Sequence, residues 1–314
     1  MSEGRKTSLD ANLWQYLESH KSNIENNLRR FLPLAPPRIE TKFNEAVEYA
    51  LFSGGKRLRP VLTLLGAELV GGKPENIMPT AAAVEFIHTS SLVFDDLPCM
   101  DNASERRGKT SVHEQFGEGL SVLVAIGFLN AAYGLVFVNH RNSPELAMRA
   151  HFEIVECVGA AGMLGGQSVD LALAKGAGAD NFSAPNNCLE SADYNFESIR
   201  NLKTSALMRL ALRVGAILEG ASDDKLEHLL RFAELLGDAY QLSDDLIDTA
   251  EDVELFAADD TKKTFVISQG QEAARLKLKD ITEEAKKVLA DNFPANHARL
   301  CLTQMTDYLA ERKA

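Results

Sequence analysis

Apolar residues recur along most of the chain with the three-to-four-residue period of amphipathic helices. The stretch LWQYLESHKSNIENNLRRFL, for example, places Leu13, Tyr16, Leu17, Ile24 and Leu28 near one face. The same period predicts further helices in FNEAVEYALF, RPVLTLLGAELV, MPTAAAVEFIHTSSLVF, LSVLVAIGFLNAAYGLVFV, SPELAMRAHFEIVECVGAAGMLGGQSVDLALA, FESIRNLKTSALMRLALRVGAIL, SDDKLEHLLRFAELLGDAYQLSDDLID and AARLKLKDITEEAKKVLADN. Convincing alternating strands are absent, so the pattern predicts an all-α protein of roughly ten or more helices.

Two of these segments, AAAVEFIHTSSLVF and LSVLVAIGFLNAAYGLVF, are apolar nearly all round. Helices of that kind are typical of the middle of a large bundle. Short segments with Gly, Pro or Asn separate the helices, and the stretch AKGAGADNFSAPNNCLE is interpreted as a surface loop. No linker or repeat divides the chain, and we expect a single domain over residues 1–314.

Composition narrows the possible functions by exclusion. A net charge of −12 argues against a nucleic-acid binder, which needs a basic surface, but leaves a phosphate-bearing substrate open. Four widely spaced cysteines, Cys99, Cys157, Cys188 and Cys301, indicate neither a zinc site nor a disulfide framework. The polar beginning of the chain and the lack of a long uninterrupted apolar run lead us to expect a cytoplasmic protein without stable membrane insertion.

The stretch DDLID is the first candidate site. Asp244 and Asp248 are four residues apart on a predicted helix and therefore lie one above the other, with Asp245 beside them. Carboxylates in this arrangement repel each other unless a cation lies between them, and oxygen ligands suit Mg²⁺. The alternative is a solvated acidic face, although the apolar approach LLGDAYQL disfavours it.

The stretch DDLPCMDNASERRG places Asp95, Asp96 and Asp101 before two arginines, Arg106 and Arg107. Six residues separate Asp95 from Asp101, but the proline between them predicts the end of the helix and a bend that returns Asp101 towards Asp95. We expect the arginines to clamp a diphosphate rather than to neutralise these carboxylates. The alternative is an acidic helix end with surface ion pairs.

The stretch GGKRLRP gathers Lys56, Arg57 and Arg59 immediately before an apolar helix. Arginine binds phosphate oxygens in bidentate fashion and lysine acts as a compact charge, so the cluster is a candidate phosphate site. Cations oppose the dipole at the beginning of a helix, which favours a functional role over the alternative of an ordinary basic helix start.

Isolated polar residues in apolar helices complete the set of candidates. His88 lies seven residues before Asp95, near the same helix face, where a core histidine is the alternative to a ligand. Lys203 in LKTSAL needs a bound anion or a buried carboxylate as partner. Gly165 and Gly166 of GGQSVDL allow close helix packing, and Gln167 and Asp170 could point into a polar cleft.

The motifs GGKRLRP, DDLPCMDNASERRG, GGQSVDL, LKTSAL and YQLSDDLID occur together in the order and at the spacings of trans-polyprenyl diphosphate synthases. From about Phe43 to Gly270 the chain resembles this family, and most of all the geranylgeranyl diphosphate synthases of bacterial carotenoid-type pathways. The resemblance implies an all-α isoprenoid-synthase bundle around a deep central cavity, and a homodimer.

The resemblance also implies roles for individual residues. Metal ligands would be Asp95, Asp101 and Asp244, supported by Asp96, Asp245 and Asp248, with about three Mg²⁺ ions per active site. The allylic diphosphate would be held by Arg106, Lys203, Thr204, Gln241 and Lys262. Isopentenyl diphosphate would be held by Lys56, Arg59, His88 and Arg107. Ionisation of the allylic substrate, condensation and loss of a proton would follow.

Chain length of the product is predicted from α-helical geometry. Ser90 lies five residues before Asp95, where family members with shorter products tend to carry an aromatic residue. With Ser90 and Ser91 both small, the product can grow past the first turn towards Phe86, the candidate floor. We therefore expect the C20 product, with a farnesyl or longer-chain diphosphate as the alternatives.

The sequence also departs from the family pattern. Ile126 stands where many members have aspartate, and the region after DDLID keeps Lys262 and Thr264 but lacks the earlier lysine of a Gly-Lys pair. The proline common after RRGK is absent as well. Two rival functions are a class I terpene cyclase, which usually lacks the paired basic sites, and a non-catalytic synthase subunit, which usually loses one aspartate motif.

Overall fold

The computed structural model describes residues 10–138, 143–174, 202–251 and 265–312, and these residues are predominantly helical. A short 3₁₀ turn, Pro74–Ile77, precedes α4. The helices are α1 Asp10–Arg30, α2 Phe43–Phe52, α3 Leu58–Leu69, α4 Met78–Asp95, α5 Val112–Phe116, α6 Glu118–Leu135, α7 Pro144–Val158, α8 Met163–Ala174, α9 Leu202–Leu218, α10 Asp223–Glu251, α11 Phe265–Gln269, α12 Gln271–Asn292 and α13 His297–Glu311. The predicted all-α class is confirmed.

A two-stranded antiparallel ladder was not expected from the sequence. It joins β1, Glu105–Arg106, to β2, Lys109–Thr110, around a turn that contains Arg107 and Gly108. Both turn residues have positive φ, 55° and 72°, as a tight hairpin connection requires. The pair is too short to show an alternating pattern, which is why periodicity could not reveal it.

The helical residues cluster into two compact units of the chain. The first contains Met1–Ile154 and Leu210–Ser222, and the second contains Val155–Arg209 and Asp223–Ala314. Helices α7 and α9 contribute residues to both. The predictions of a single domain and of a central cavity stay predictions, and each unit is described by itself.

The first unit is built on α4, which is buried along nearly its whole length, as its uniformly apolar sequence predicts. Helices α1, α2, α3 and α6 pack against it. The predicted face of α1 is also confirmed, because Leu13, Tyr16, Ile24 and Leu28 are all buried. Gly66 of α3 permits a close approach to α9, since a Cβ atom there would overlap the carbonyl group of Leu212.

Helix α6 differs from the expectation that it lies in the middle of the bundle. Val124, Ala125 and Phe128 are buried, whereas Leu123 and Ile126 are 57% and 49% exposed. One face therefore packs on the first unit and the opposite apolar face has no covering element among the described residues. By length and composition, residues 74–95 and 118–135 could each cross a membrane, a test that the mostly buried core helix of a soluble protein also passes.

The second unit is organised around α10, a helix of 29 residues that begins directly after Ser222. Helices α11, α12 and α13 pack along it. Helix α13 was not predicted, although Cys301, Leu302, Met305 and Leu309 line its buried face. Asn296 is the N-cap of this helix, because its side chain accepts a hydrogen bond from the backbone N–H of Arg299.

Candidate active site

The GGKRLRP stretch forms the end of the loop between α2 and α3 and the first turn of α3, which begins at Leu58. Its backbone is unusual, because Gly54, Gly55 and Arg57 all have positive φ, at 117°, 126° and 52°. Lys56 is exposed, with its Nζ 6.0 Å from the centre of the Trp14 ring. Arg59 is half-buried and its Nη1 lies 3.2 Å from Nε2 of His88. Two of the three predicted cations therefore lie on the accessible side of the loop.

Arg57 does not share this position, and its inclusion in the phosphate cluster is wrong. Its side chain is 6% exposed and donates to the Oε1 atoms of Glu25 and Glu85, each at 2.8 Å. Burial acts to lower the pKa of Arg57, but the two carboxylates outweigh it and raise the pKa above its ordinary value. The guanidinium is fully engaged by protein groups and turned away from the solvent.

Arg107 approaches the same loop from the β1–β2 hairpin. Its Nη1 donates to the carbonyl oxygen of Gly54 at 2.7 Å. A Cβ atom on Gly55 would lie 2.6 Å from that Nη1 atom, so the glycine is what allows the guanidinium to come this close. The structure thus brings Arg59, His88 and Arg107 together around one loop, as the resemblance implies.

His88 is buried in α4 among these arginines. Burial lowers its pKa well below the ordinary value, and the positive charges of Arg59, Arg107, Arg106 and Arg57 lower it further. The ring is therefore neutral. Since the guanidinium of Arg59 can only donate, Nε2 accepts and Nδ1 carries the proton, a tautomer assigned from the hydrogen-bond network. The buried Nδ1 has no hydrogen-bond partner in the described structure.

The first aspartate stretch begins where α4 ends. The helix stops at Asp95, and the backbone N–H of Asp101 donates to the carbonyl oxygen of Asp95 at 2.9 Å. A second bond joins the N–H of Ala103 to the carbonyl oxygen of Asp96 at 3.2 Å. These main-chain bonds confirm the predicted bend, which returns Asp101 to the beginning of the stretch.

Asp96 and Arg106 form a close pair within this stretch. Nε and Nη2 of Arg106 each lie 2.6 Å from Oδ1 of Asp96, whose side chain is 4% exposed. Burial acts to lower the pKa of Arg106, but the bond to Asp96 and the charges of Asp96, Asp95 and Asp101 together raise it. The expectation that arginines and carboxylates here do not neutralise each other is therefore wrong for this pair.

The second aspartate stretch lies on α10 in the second unit. Oδ1 of Asp245 accepts a hydrogen bond from Nε2 of Gln241 at 3.1 Å. Asp244 is half-buried and forms an ion pair with Arg312, the first residue after α13. Asp248 follows four residues later on the same helix, but its side chain, like all of Lys262 and Thr264, lies outside the described residues.

Lys203 begins α9 in the same unit, close to α8. Its Nζ donates to Oε1 of Gln167 at 2.6 Å, so one partner is an amide and not the expected anion or carboxylate. Gly166 permits this contact, because a Cβ atom there would lie 2.7 Å from the backbone nitrogen of Lys203. Thr204 follows and is half-buried. The predicted closeness of GGQSVDL and LKTSAL is thus a feature of the structure.

The proposed chain-length residues lie along α4. Ser90 is fully buried and its Oγ has no hydrogen-bond partner, whereas the Oγ of Ser91 donates to the carbonyl oxygen of His88 at 2.8 Å. Phe86, one turn earlier, is fully buried, and its ring centre lies 5.3 Å from that of Phe128 on α6. Phe128 was not identified from the sequence, because only packing shows that it supports Phe86.

Two charged residues near these motifs were also missed. Glu85 is a single acid in an apolar helix, and the cost of burying it could have indicated a cationic partner. Arg312 gave no such signal, because nothing in the sequence connects it with Asp244, which lies 68 residues earlier in the chain.

Comparison with known proteins agrees with these motifs. The family model described as polyprenyl synthetase matches residues 40–292. A dimethylallyltranstransferase of Fischerella ambigua is 35% identical over 313 residues, which cover 98% of this chain and 85% of that protein. A mitochondrial geranylgeranyl pyrophosphate synthase of Arabidopsis thaliana is 34% identical over 98% of this chain and 92% of its own length.

Solved structures show the same fold. An FPP/GFPP synthase from Zymomonas mobilis superposes with a TM-score of 0.80 at 29% identity, over 96% of this chain and 99% of that one. A geranyltransferase from Legionella pneumophila gives a TM-score of 0.79 at 26% identity, over 97% and 98% of the two chains.

Proposed function

The chain belongs to the polyprenyl synthetase family, and we propose that it is a trans-prenyltransferase that joins isopentenyl diphosphate head-to-tail to an allylic diphosphate. The observation that carries this proposal is the position of His88, in contact with Arg59, near the positive charge of Arg107 and two helical turns before Asp95 on α4. His88, a candidate for diphosphate binding without a metal, and Asp95, a candidate metal ligand, thus lie on the same helix.

The basic cluster of the first unit is the proposed site for isopentenyl diphosphate. Arg59 and Arg107 can each bind two phosphate oxygens, and Lys56 adds a mobile charge from the exposed side. Neutral His88 orients the guanidinium of Arg59 through Nε2 without adding a further positive charge to a crowded cluster. This substrate keeps its diphosphate during the reaction, so its site needs affinity and orientation.

The allylic diphosphate is assigned to Arg106, Lys203, Thr204, Gln241 and Lys262. No group of three or more His, Cys, Asp or Glu residues in the described part of the chain forms a ready-made metal site. The carboxylates nevertheless fit Mg²⁺, which commonly takes one or two of them and completes its shell with water and phosphate oxygens. Asp95, Asp101 and Asp244 would be the leading ligands, and Asp96, Asp245 and Asp248 would support them.

These residues suggest how the reaction proceeds. When bound, Mg²⁺ supplies positive charge that stabilises a departing diphosphate. Arg106 in the first unit and Lys203 in the second are each assigned the role of stabilising the departing diphosphate as the allylic C–O bond breaks and its electron pair leaves with the diphosphate. The double bond of isopentenyl diphosphate then forms the new C–C bond, and the resulting cation loses a proton to the released diphosphate. The apolar residues of α4 exclude water, which would otherwise capture the cation.

Geranylgeranyl diphosphate is the product we propose. Ser90 is a small residue near the end of α4, and Phe86, supported by Phe128, provides a wall one turn earlier in the helix. Relatives named as geranylgeranyl diphosphate synthases are in line with a C20 product, while the Zymomonas mobilis structure bears the name of a shorter and a longer product. Farnesyl and longer diphosphates are therefore the alternatives.

A homodimer is the proposed assembly. The uncovered apolar face of α6, with Leu123 and Ile126, is accompanied by Met148 and Phe152 on α7, which are 46% and 62% exposed. The ring of His151 lies 5.7 Å from that of Tyr133 and 6.2 Å from that of Phe152, which connects the two helices. An apolar surface of this kind suits a second copy of the chain. The expected cytoplasmic location stays a prediction.

The deciding experiment is an elongation assay with purified protein, Mg²⁺, isopentenyl diphosphate and, separately, dimethylallyl, geranyl and farnesyl diphosphate. Products are separated by chain length after removal of the diphosphate. Geranylgeranyl alcohol as the main product supports the proposal. Release of a hydrocarbon would indicate a class I terpene cyclase, and no product from any primer would favour a non-catalytic subunit, a class made relevant by heterodimeric relatives.

A further inference from the structure

Arg57 is bound by three separate elements of the first unit. Its Nε donates to Glu25 of α1, its Nη1 to Glu85 of α4, and its Nη2 to the carbonyl oxygen of Leu51 in α2, all at 2.8 Å. Glu85 is 3% exposed and Glu25 is 29% exposed at the side chain. Every direction of the planar guanidinium is therefore fixed by a partner from another part of the fold.

The backbone at Arg57 needs this support. Its φ of 52° lies in the left-handed region, which is unfavourable for a residue with a side chain. Gly54 and Gly55 before it also have positive φ, so the loop has little regular structure of its own. The buried side chain of Arg57 anchors the end of this loop, while Arg107 bonds to Gly54 at its beginning.

The anchor lies beside the site proposed for isopentenyl diphosphate. Lys56 precedes Arg57, and Arg59 follows it two residues later. On α4, Glu85 lies one turn before His88. Two contacts therefore connect the same loop to the same helix: the buried pair Arg57–Glu85, and the contact of Arg59 with His88 at 3.2 Å.

We propose that Arg57 and Glu85 are a positioning pair, which sets the isopentenyl diphosphate site by fixing the backbone between Lys56 and Arg59 and thereby holding Arg59 against His88. The inference rests on the function proposed above and deepens it. Neither residue touches substrate, because both side chains are buried and bonded to protein groups. Their loss affects affinity for the non-allylic substrate, while the allylic diphosphate and the bond-breaking step depend on other residues.

The test replaces the pair with apolar residues of similar size, in the double variant Arg57→Met with Glu85→Leu. Removing both charges of a buried ion pair is often neutral for stability. The double variant leaves Glu25 without its arginine, but the side chain of Glu25 is 29% exposed and can be solvated by water. We expect a KM for isopentenyl diphosphate raised about tenfold, which corresponds to about 1.4 kcal/mol. The KM for the allylic diphosphate and kcat should both change by less than about threefold, well below the tenfold change expected for isopentenyl diphosphate. Titration calorimetry with a non-reacting thio analogue of isopentenyl diphosphate should show the same loss.

The matched control is the double variant Arg213→Met with Glu153→Leu. Arg213 binds Glu153 through Nε at 3.0 Å and Nη2 at 3.2 Å, and the two side chains are 14% and 6% exposed. This pair belongs to the same unit and joins α9 to α7, not the basic loop to α4. Its removal should leave the KM for isopentenyl diphosphate unchanged.

A milder variant, Arg57→Lys, keeps the charge but loses the fork that reaches three acceptors at once. It should fold normally and show a smaller rise in the same KM, which keeps the inference testable if the double variant does not fold. Unchanged affinity in a folded variant overturns the positioning role, and so does an equal loss of both affinities and kcat. Because the unmodified protein is assayed alongside, inactivity of that protein instead contradicts the proposed function.

Discussion

The guanidinium of Arg312 forms an ion pair with the carboxylate of Asp244, the leading residue of the second aspartate stretch. Its Nε also donates to Oγ of Ser243 at 2.5 Å, its Nη2 to the carbonyl oxygen of Tyr240 at 3.1 Å, and its plane lies 4.8 Å from the Tyr240 ring centre. The positive charge of Arg312 is thus paired with Asp244, a carboxylate that the proposed reaction assigns to Mg²⁺.

Substitution of Arg312 by alanine should strengthen divalent cation binding. In the unmodified protein a metal ion must displace Arg312 from Asp244, and in the variant this competition is removed. We therefore expect the dissociation constant for Mn²⁺ to fall about threefold to tenfold, where a tenfold change corresponds to about 1.4 kcal/mol. The measurement is electron paramagnetic resonance of Mn²⁺ binding without substrate. Arg299→Ala is the control, since Arg299 lies on α13, the helix that precedes Arg312, and binds the carbonyl oxygens of Ala290 and Phe293. Weaker binding in Arg312→Ala would mean that the arginine supports the cation site.

Enlarging Ser90 should shorten the product. The site is fully buried, so the ring in Ser90→Phe must take space along α4 that the growing chain otherwise uses. We expect farnesyl diphosphate as the main product in the elongation assay. Ser90→Ala is the control: the Oγ of Ser90 has no hydrogen-bond partner, so its loss should change neither stability nor product length. An unchanged product from Ser90→Phe would show that the residue at position 90 does not limit the length of the product.

Gly55 offers a test of how closely Arg107 must approach the loop. Alanine at this position is strained, because φ is 126°, and its Cβ would lie 2.6 Å from Nη1 of Arg107. We expect Gly55→Ala to raise the KM for isopentenyl diphosphate and to lower the free energy of unfolding by about 1 kcal/mol or more. Gly71→Ala carries similar backbone strain, with φ of 91° and nothing within 4 Å, and should lower stability alone. Equal KM values for isopentenyl diphosphate in both variants would show that the position of Arg107 does not affect binding of this substrate.

His88 should make folding stability depend on pH. Its pKa in the folded protein is well below the ordinary 6.5, so below about pH 6.5 the unfolded chain takes up a proton that the folded protein does not. Stability is therefore retained above that pH and lost as the pH falls below it, by at most about 1.4 kcal/mol per pH unit.

The measurement is urea unfolding of the unmodified protein and of His88→Gln between pH 5 and 8. The difference in unfolding free energy between them should be constant above about pH 7 and should move in favour of the variant below about pH 6.5. A constant difference over the whole range would show that His88 takes up its proton equally in both states.

Local periodicity was sufficient for most of the helical framework. The stretch FNEAVEYALF coincides with α2, and α4 extends one residue beyond its predicted segment. The bend after Asp95 was also predictable, because proline acts on its immediate neighbours. These features depend on residues a few positions apart, which a single sequence contains.

The orientation of individual charges depends on distant residues and could not be predicted in the same way. The sequence does not distinguish between the three cations Lys56, Arg57 and Arg59, which lie within four residues of one another. Arg57 points inward because Glu25 and Glu85 pack around the loop and accept its hydrogen bonds. The pairing of Asp96 with Arg106 likewise depends on the β1–β2 hairpin, which is too short to leave a pattern.

The bend after α4 has a practical consequence, because main-chain bonds hold its shape. Besides the bonds already described, the N–H groups of Met100 and Asn102 donate to the carbonyl oxygen of Leu97, at 2.9 and 3.1 Å. The exposed side chain of Cys99 therefore has no part in the bend, whereas Cys157 and Cys301 are buried. With Cys188 replaced by serine, a fluorescent or spin label on Cys99 would report from within the first aspartate stretch when substrate arrives.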